Sequence, residues 1–174
     1  MGKMLRKANL KTPTKYLTPN QRLKLARQSI FSGTFAGLSR LQSQQLRQLI
    51  LANINRQASL SDIMEAAKKI ADLTESQLES IIRTERHEIL MTIQEQRLKL
   101  LDPEDENLYT WLGPSDSRTS AVCKSIKRRT GNGVHLDTLK QIVEEEATKH
   151  NPKWVMKDWT PHPSCRHTIS RFYR

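Results

Sequence analysis

Apolar side chains recur at helical spacing through the first two thirds of this chain, then give way beyond Pro103 to short apolar runs punctuated by glycine and proline. Residues 1–17 are Lys-rich, contain Thr12-Pro13-Thr14 and sustain no periodicity, which predicts a flexible tail. Thr18-Pro19 is a helix start, since threonine caps orphan amides and proline is harmless at the first helical position. Leu23, Ala26 and Ile30 mark one face of that helix, which should falter at Gly33 or Gly37. A second helix is predicted from about Leu38 to Arg56, with Leu46, Leu49, Ile50 and Ile54 inward. Ser59 then caps a short amphipathic helix carrying Leu60, Ile63, Ala67 and Ile70.

Thr74-x-x-Gln77 reads as a capping box opening a long helix that ends near Leu101, because Asp102-Pro103 disfavours continuation. Its stripe runs through Leu78, Ile82, Glu85, Ile89, Ile93, Gln96 and Leu100. After an acidic turn, Leu108–Leu112 reads as a strand, and Gly113-Pro114-Ser115 as a turn. Ser117 or Thr119 is placed to cap a helix through Cys123 and Ile126 to Arg129, followed by a turn at Gly131-Asn132-Gly133. Asp137 is placed to cap another, from Thr138 to about Lys149. Arg166–Tyr173 is rich enough in β-branched and aromatic residues for a last strand. The fold class is therefore α-rich α+β: a flexible basic tail (1–17), a helical arm or hairpin (18–102) and a small C-terminal α+β domain (103–174).

Charge changes this picture by its distribution. Residues 1–61 hold eleven Lys and Arg and no carboxylate, Asp62 being the first, so all of the net charge of +11 lies in the first third. Lys3, Arg6, Lys7, Lys11, Lys15, Arg22, Lys24 and Arg27 are the candidate contacts to a polyanion or to an acidic protein surface. A solvated basic face is the plainer alternative. The second basic group, Lys124, Lys127, Arg128 and Arg129, has Glu144, Glu145 and Glu146 nearby to neutralise it. Mean hydropathy is −0.65 and no apolar run approaches the roughly 18 residues of a membrane span, so a soluble protein without membrane contact is expected. The N-terminal stretch lacks the apolar core of a secretory signal, and the chain is expected to act in the cytoplasm where it is made.

Two clusters carry the chemistry: Asp116-Ser117-Arg118-Thr119 continued by Cys123, and His162-Pro163-Ser164-Cys165-Arg166-His167. Cys123, His162, Cys165 and His167 are soft donors of the kind zinc prefers, although their spacing matches no zinc finger. Two reduced thiols packed in the core, with His162 bonded locally, is the competing reading. A carboxylate on an inward stripe needs a partner, so Glu85 either meets Arg118 or Arg166 or sits at the margin of the core in solvent. The glycine patterns of a nucleophile elbow or a phosphate loop are absent, so the chain is read as a non-enzyme. Trp111, Trp154 and Trp159 are expected to anchor the core rather than to stack on bases.

The order of these signals resembles the minor head protein (head morphogenesis, Mu protein F-like) family of tailed viruses. It carries Arg83-Thr84-Glu85 on a helix, the aromatic strand Asn107–Trp111, Asp116-x-Arg118-Thr119-x-x-x-Cys123, and His162-Pro163-x-Cys165-Arg166. The likeness covers roughly residues 18–174. It departs from the family at Ser120, where another cysteine is common, and at His167, where the motif usually ends in cysteine. The resemblance implies a structural virion protein of head morphogenesis and capsid assembly. It would be made in the host cytoplasm and reside in the head near the portal vertex. The implied partners are portal protein, capsid lining and double-stranded DNA, with an oligomer on the portal ring and a structural zinc as further expectations. The resemblance also favours an ion-paired Glu85. A sequence-independent nucleic-acid-binding protein acting outside a capsid is the alternative.

Overall fold

The computed structural model describes residues 38–54, 59–153 and 159–173. The tail, the helix expected from Thr18, its basic contacts (Lys3 to Arg27) and Trp154 lie outside the described residues. Within them, helices α1 (Arg40–Ile54), α2 (Leu60–Lys68) and α3 (Glu75–Leu101) are followed by β1 (Tyr109–Leu112), α4 (Ala121–Arg129), α5 (Leu136–His150) and β2 (Thr168–Arg171). This is an α-rich α+β fold with one two-stranded antiparallel sheet among the described residues.

Local chemistry sets the helix starts. Ser59 accepts from the Asp62 amide at 3.2 Å while Asp62 accepts from the Ser59 amide, and Thr74 and Gln77 close the same box at the head of α3. Ser39 and Gln42 exchange an equivalent pair of bonds before α1. Two expected caps are corrected. Ser120, not Ser117 or Thr119, caps α4, because Thr119 is already spent on the loop: its hydroxyl donates to the Pro114 carbonyl and accepts from the Asp116 amide. The α5 helix starts two residues earlier than expected, behind His135, with Asp137 inside its first turn where a carboxylate favours the dipole.

The helices and strands enclose two apolar clusters. The first joins Leu46 and Ile50 of α1, Ile63 and Ala67 of α2, and Leu78, Ile81, Ile82 and Ile89 of α3. In the second, Trp111 and Ile169 of the sheet meet Val122, Cys123 and Ile126 of α4, Leu139 and Val143 of α5, and Trp159. The α3 helix belongs to both, since Met91 and Leu98 enter the second cluster. Its inward stripe therefore turns after Ile89. Met91, Glu95 and Leu98 are buried beyond it; of the expected positions, Ile93 is half-buried against the first cluster, whereas Leu100 is 59% exposed. A stripe at strict helical period describes a helix that keeps one partner; this helix changes partners midway.

The strands pair Trp111 with Ile169 and Tyr109 with Arg171, and Tyr109 also exchanges both backbone bonds with Val134. Both turn glycines are required. A Cβ at Gly113 would lie 2.5 Å from the His167 ring, and one at Gly133, whose φ is +74°, would lie 2.6 Å from Phe172.

Candidate metal centre

The middle of α3 faces the C-terminal loop, and polar contacts from Ser80, Thr84 and His87 tie them. The Thr84 hydroxyl, fully buried, donates to the Ser80 carbonyl at 2.6 Å and accepts the Ser164 amide at 2.9 Å. Ser164 takes a left-handed φ of 54° to make that bond. One turn on, His87 Nε2 donates to the His167 carbonyl at 2.7 Å, so its Nδ1 is the acceptor for the Thr160 hydroxyl at 2.9 Å. Burial lowers the His87 pKa, although the His167 carbonyl opposes it, and the ring is held neutral in that tautomer. His87 is a site residue that the sequence reading does not find, because its partners lie 73 and 80 positions away.

Arg166 spans the loop to the other motif. Its two terminal nitrogens donate to the two carboxylate oxygens of Asp116 at 2.8 and 2.7 Å, a bidentate fork. This fork, opposed by desolvation and assisted by Thr119 and the Arg118 amide, holds Asp116 far below the usual carboxylate range. Arg118 stays 79% exposed and only 3.8 Å from Asp116. Both arginines considered for Glu85 thus turn to Asp116 instead. Glu85 itself is 3% exposed and engaged within the protein, so it does not sit in solvent. Arg83 pairs outward with Glu79 at 2.6 Å.

Behind this fork lie the soft donors. Cys123 comes from the first turn of α4, where the Ser120 cap positions it, and His162 and Cys165 come from the loop before β2. Cys123 Sγ is 3.1 Å from His162 Nε2 and 3.6 Å from Cys165 Sγ, and the three donor atoms all lie within 4.8 Å of one another. The Cys-His-Cys cluster predicted from the two motifs is therefore present. His167 is outside that mutual reach: its ring lies flat on Trp111, with centroids 6.2 Å apart, and its Nε2 is buried without a partner.

The cluster passes three tests as a metal site. In tetrahedral zinc, bonds of about 2.3 Å to sulfur put two sulfurs about 3.8 Å apart, close to the 3.6 Å seen. His162 Nδ1 must donate to the Pro163 carbonyl at 2.9 Å, which leaves the Nε2 lone pair facing the sulfurs and the Ser120 hydroxyl, 2.9 Å away. The backbone amides of His167 and Arg166 point at Cys165 and favour its thiolate. Without a cation the pair shares its protons unequally. A hydrogen bond from Cys165 pulls Cys123 far below the usual thiol range, against burial and with help from His162, His167 and Ser120. That same bond, with burial and the Cys123 charge, pushes Cys165 up. Burial lowers the His162 pKa, but its bond to Cys123 and the Cys123 charge outweigh burial and raise it.

Of the second basic group, Arg129 is neutralised as expected, meeting Glu145 at 2.7 Å and the buried Glu146 at 3.0 Å, while Lys127 donates to the Gly113 carbonyl and the Ser115 hydroxyl instead. Trp111 and Trp159 are fully buried in the core, their ring centroids 6.5 Å apart. Among the described residues, no helix is long and apolar enough to cross a membrane.

Residues 36–91 are similar to a family described as a protein of unknown function (DUF1659), a match that spans α1, α2 and the first part of α3 and ends before the Cys-His-Cys cluster. No curated protein and no solved structure matches the chain.

Proposed function

We propose that this chain is a structural minor head protein of a tailed virus, associating with the portal vertex during head assembly and held together at its C-terminal end by a structural zinc ion. One observation carries the reading: motif segments up to 80 residues apart in sequence meet at a single point. Thr84 of the helix motif receives Ser164, Asp116 receives Arg166, and Cys123 receives both His162 and Cys165. Groups that tie loops in this way support a rigid docking body. Cys123, His162 and Cys165 would hold the zinc, with Ser120 or water at the fourth position. The ion would supply cross-linking between α4 and the loop before β2, as structural zinc does in domains with small cores.

The test is coexpression with a portal protein taken from the same genome and isolation of the portal ring. Stoichiometric recovery of the chain on the ring supports the reading, and a ring isolated bare overturns it. Elemental analysis of protein purified without chelator should give one zinc per chain, lost in Cys165→Ser.

The eleven basic residues ahead of Asp62 favour a second reading, a sequence-independent nucleic-acid-binding protein acting outside a capsid. Under that reading, removing residues 1–17 flattens the salt dependence of DNA binding by up to about 4 or 5, at roughly 0.9 per phosphate contact, while portal association is absent from the start.

A further inference from the structure

We propose that the folded body carries its own phosphate-binding groove, running across α3 and the C-terminal loop and suited to the sugar-phosphate backbone of a nucleic acid. Two hollows of about 620 and 260 Å³ adjoin there and share Arg83, Ser164 and Arg166 as a common wall. Arg118 extends the first and Arg86 the second, so four guanidinium groups line one continuous path. Glu79 is the carboxylate on that path, and Asp116 stands behind it.

The two carboxylates hold and aim two of the forks without using all their donors. Glu79 takes Nε and one terminal nitrogen of Arg83, leaving the other; Asp116 takes both terminal nitrogens of Arg166, leaving its Nε. Arg118 is nearly free in solvent, and Arg86 makes no ion pair among the described residues. Between the guanidiniums stand the hydroxyls of Ser76, Ser80, Ser120 and Ser164, with those of Ser80 and Ser164 3.3 Å apart. Guanidinium forks interleaved with hydroxyl donors are the groups that phosphoryl oxygens accept from.

The length of the path selects the ligand. A single phosphate would fill a fraction of either hollow, whereas cations spread over both match a repeating anion. A repeating phosphodiester provides one. Apolar lining from Leu60 and Leu90 is confined to the smaller hollow, and hydroxyl and guanidinium donors line the larger, as phosphodiester oxygens require. This inference does not depend on portal association, and it places nucleic-acid contact on the body instead of on the basic arm alone.

The experiment uses the full-length chain and the double variant Arg86→Ala/Arg118→Ala, which removes the two guanidiniums not tied into the fold. Lys68→Ala/Lys69→Ala, on and just after α2, is the charge-matched control, and circular dichroism verifies that all three proteins are folded. Fluorescence anisotropy of a labelled 20-base-pair duplex is followed from 50 to 300 mM NaCl. The arginine pair should lower the slope of log affinity against log salt by about 1.8, two contacts at roughly 0.9 each, and the lysine pair should leave the slope unchanged. Equal slopes for the arginine variant and the unaltered chain overturn the proposal, as does an equal loss in the lysine control. In parallel, ³¹P line broadening with inorganic phosphate and competition by poly-glutamate separate the other occupants. Phosphate or poly-glutamate binding that depends on Arg86 and Arg118, with duplex binding unaltered, assigns the groove to that ligand and overturns the nucleic-acid proposal.

Discussion

The two cores of this protein differ in what fixes them. Around α1, α2 and the first half of α3, side chains within about forty residues of one another pack chiefly by apolar contact: Leu46, Ile50, Ile63, Leu78 and Ile82 are all 2% exposed or less. Around the sheet, Trp111 and Trp159 join a cluster that also buries Ile126, Leu139, Val143 and Ile169, and distant segments are fixed in addition by charge-assisted or buried hydrogen bonds at Thr84, His87 and Asp116. The first core tolerates approximate geometry, because dispersion and burial are non-directional. The second demands it. A buried polar group that loses its partner costs more than a methyl that loses a neighbour.

The comparison is broken most directly by Trp111→Ala. It empties the space between Trp159 and His167 and should cost about 3–5 kcal/mol. Near-UV dichroism should collapse while most far-UV helical signal is retained, because α1, α2 and half of α3 do not touch that site. Simultaneous loss of both signals in a urea titration would show that the two cores unfold as one unit through α3. A smaller effect is expected from Thr84→Val, which keeps the volume but removes the acceptor of the Ser164 amide; about 1–3 kcal/mol should be lost. Its neighbour in the first core, Ile82→Val, should cost about 0.5–1.5 kcal/mol, so chemical denaturation of the two variants separates polar from apolar dependence within two residues of one helix.

The smallest effect concerns Glu95, buried at the second core and bonded to Lys99 at 3.0 Å and Lys140 at 3.3 Å. Burial alone would raise its pKa, but the bond from Lys99, with further donors and the charge of Lys140, holds it below the ordinary 4.5. A depressed carboxylate stabilises the fold above its unfolded pKa, and that stability is lost as pH falls through the folded value. Glu95→Gln should therefore melt lower than the unaltered chain at pH 7, by about 1 kcal/mol, and the gap should close below about pH 4. A gap that persists at pH 3 would mean that packing, not charge, explains the loss.

Legibility in the sequence followed the same division. Ser59, Thr74 and Gln77 announced α2 and α3 because a cap acts within four residues, and Leu46 and Ile50 announced the inner face of α1 because a stripe needs only local spacing. Each of these signals is short-range. The polar side of the second core is not. His87 bonds to residues 73 and 80 positions away, and nothing in its neighbourhood marks it as more than a surface histidine on a charged helix. Arg166 and Cys165 were marked by their motif, but the choice of Asp116 over Glu85 as the arginine's partner depends on how the loop before β2 crosses α3. The cap of α4 failed for a related reason: Thr119 is a competent cap whose hydroxyl a loop contact had already claimed. His167 matched the ligand chemistry and was claimed instead by the face of Trp111.

The distance along the chain between α3 and the loop that completes it also sets an order of events during synthesis. The first core can close once α3 has emerged, because its members end at Ile89. The second cannot: Trp111 and Cys123 lack their partners, and the Thr84 hydroxyl lacks its donor, until residues 160–171 arrive. At a typical 5–20 residues per second, the nascent chain spends several seconds with a finished helical half and an open, thiol-bearing remainder. During that interval Cys123 is at its most exposed to oxidants and to stray metal ions. The arrival of Cys165 and β2 is therefore also the step that withdraws it from chemistry.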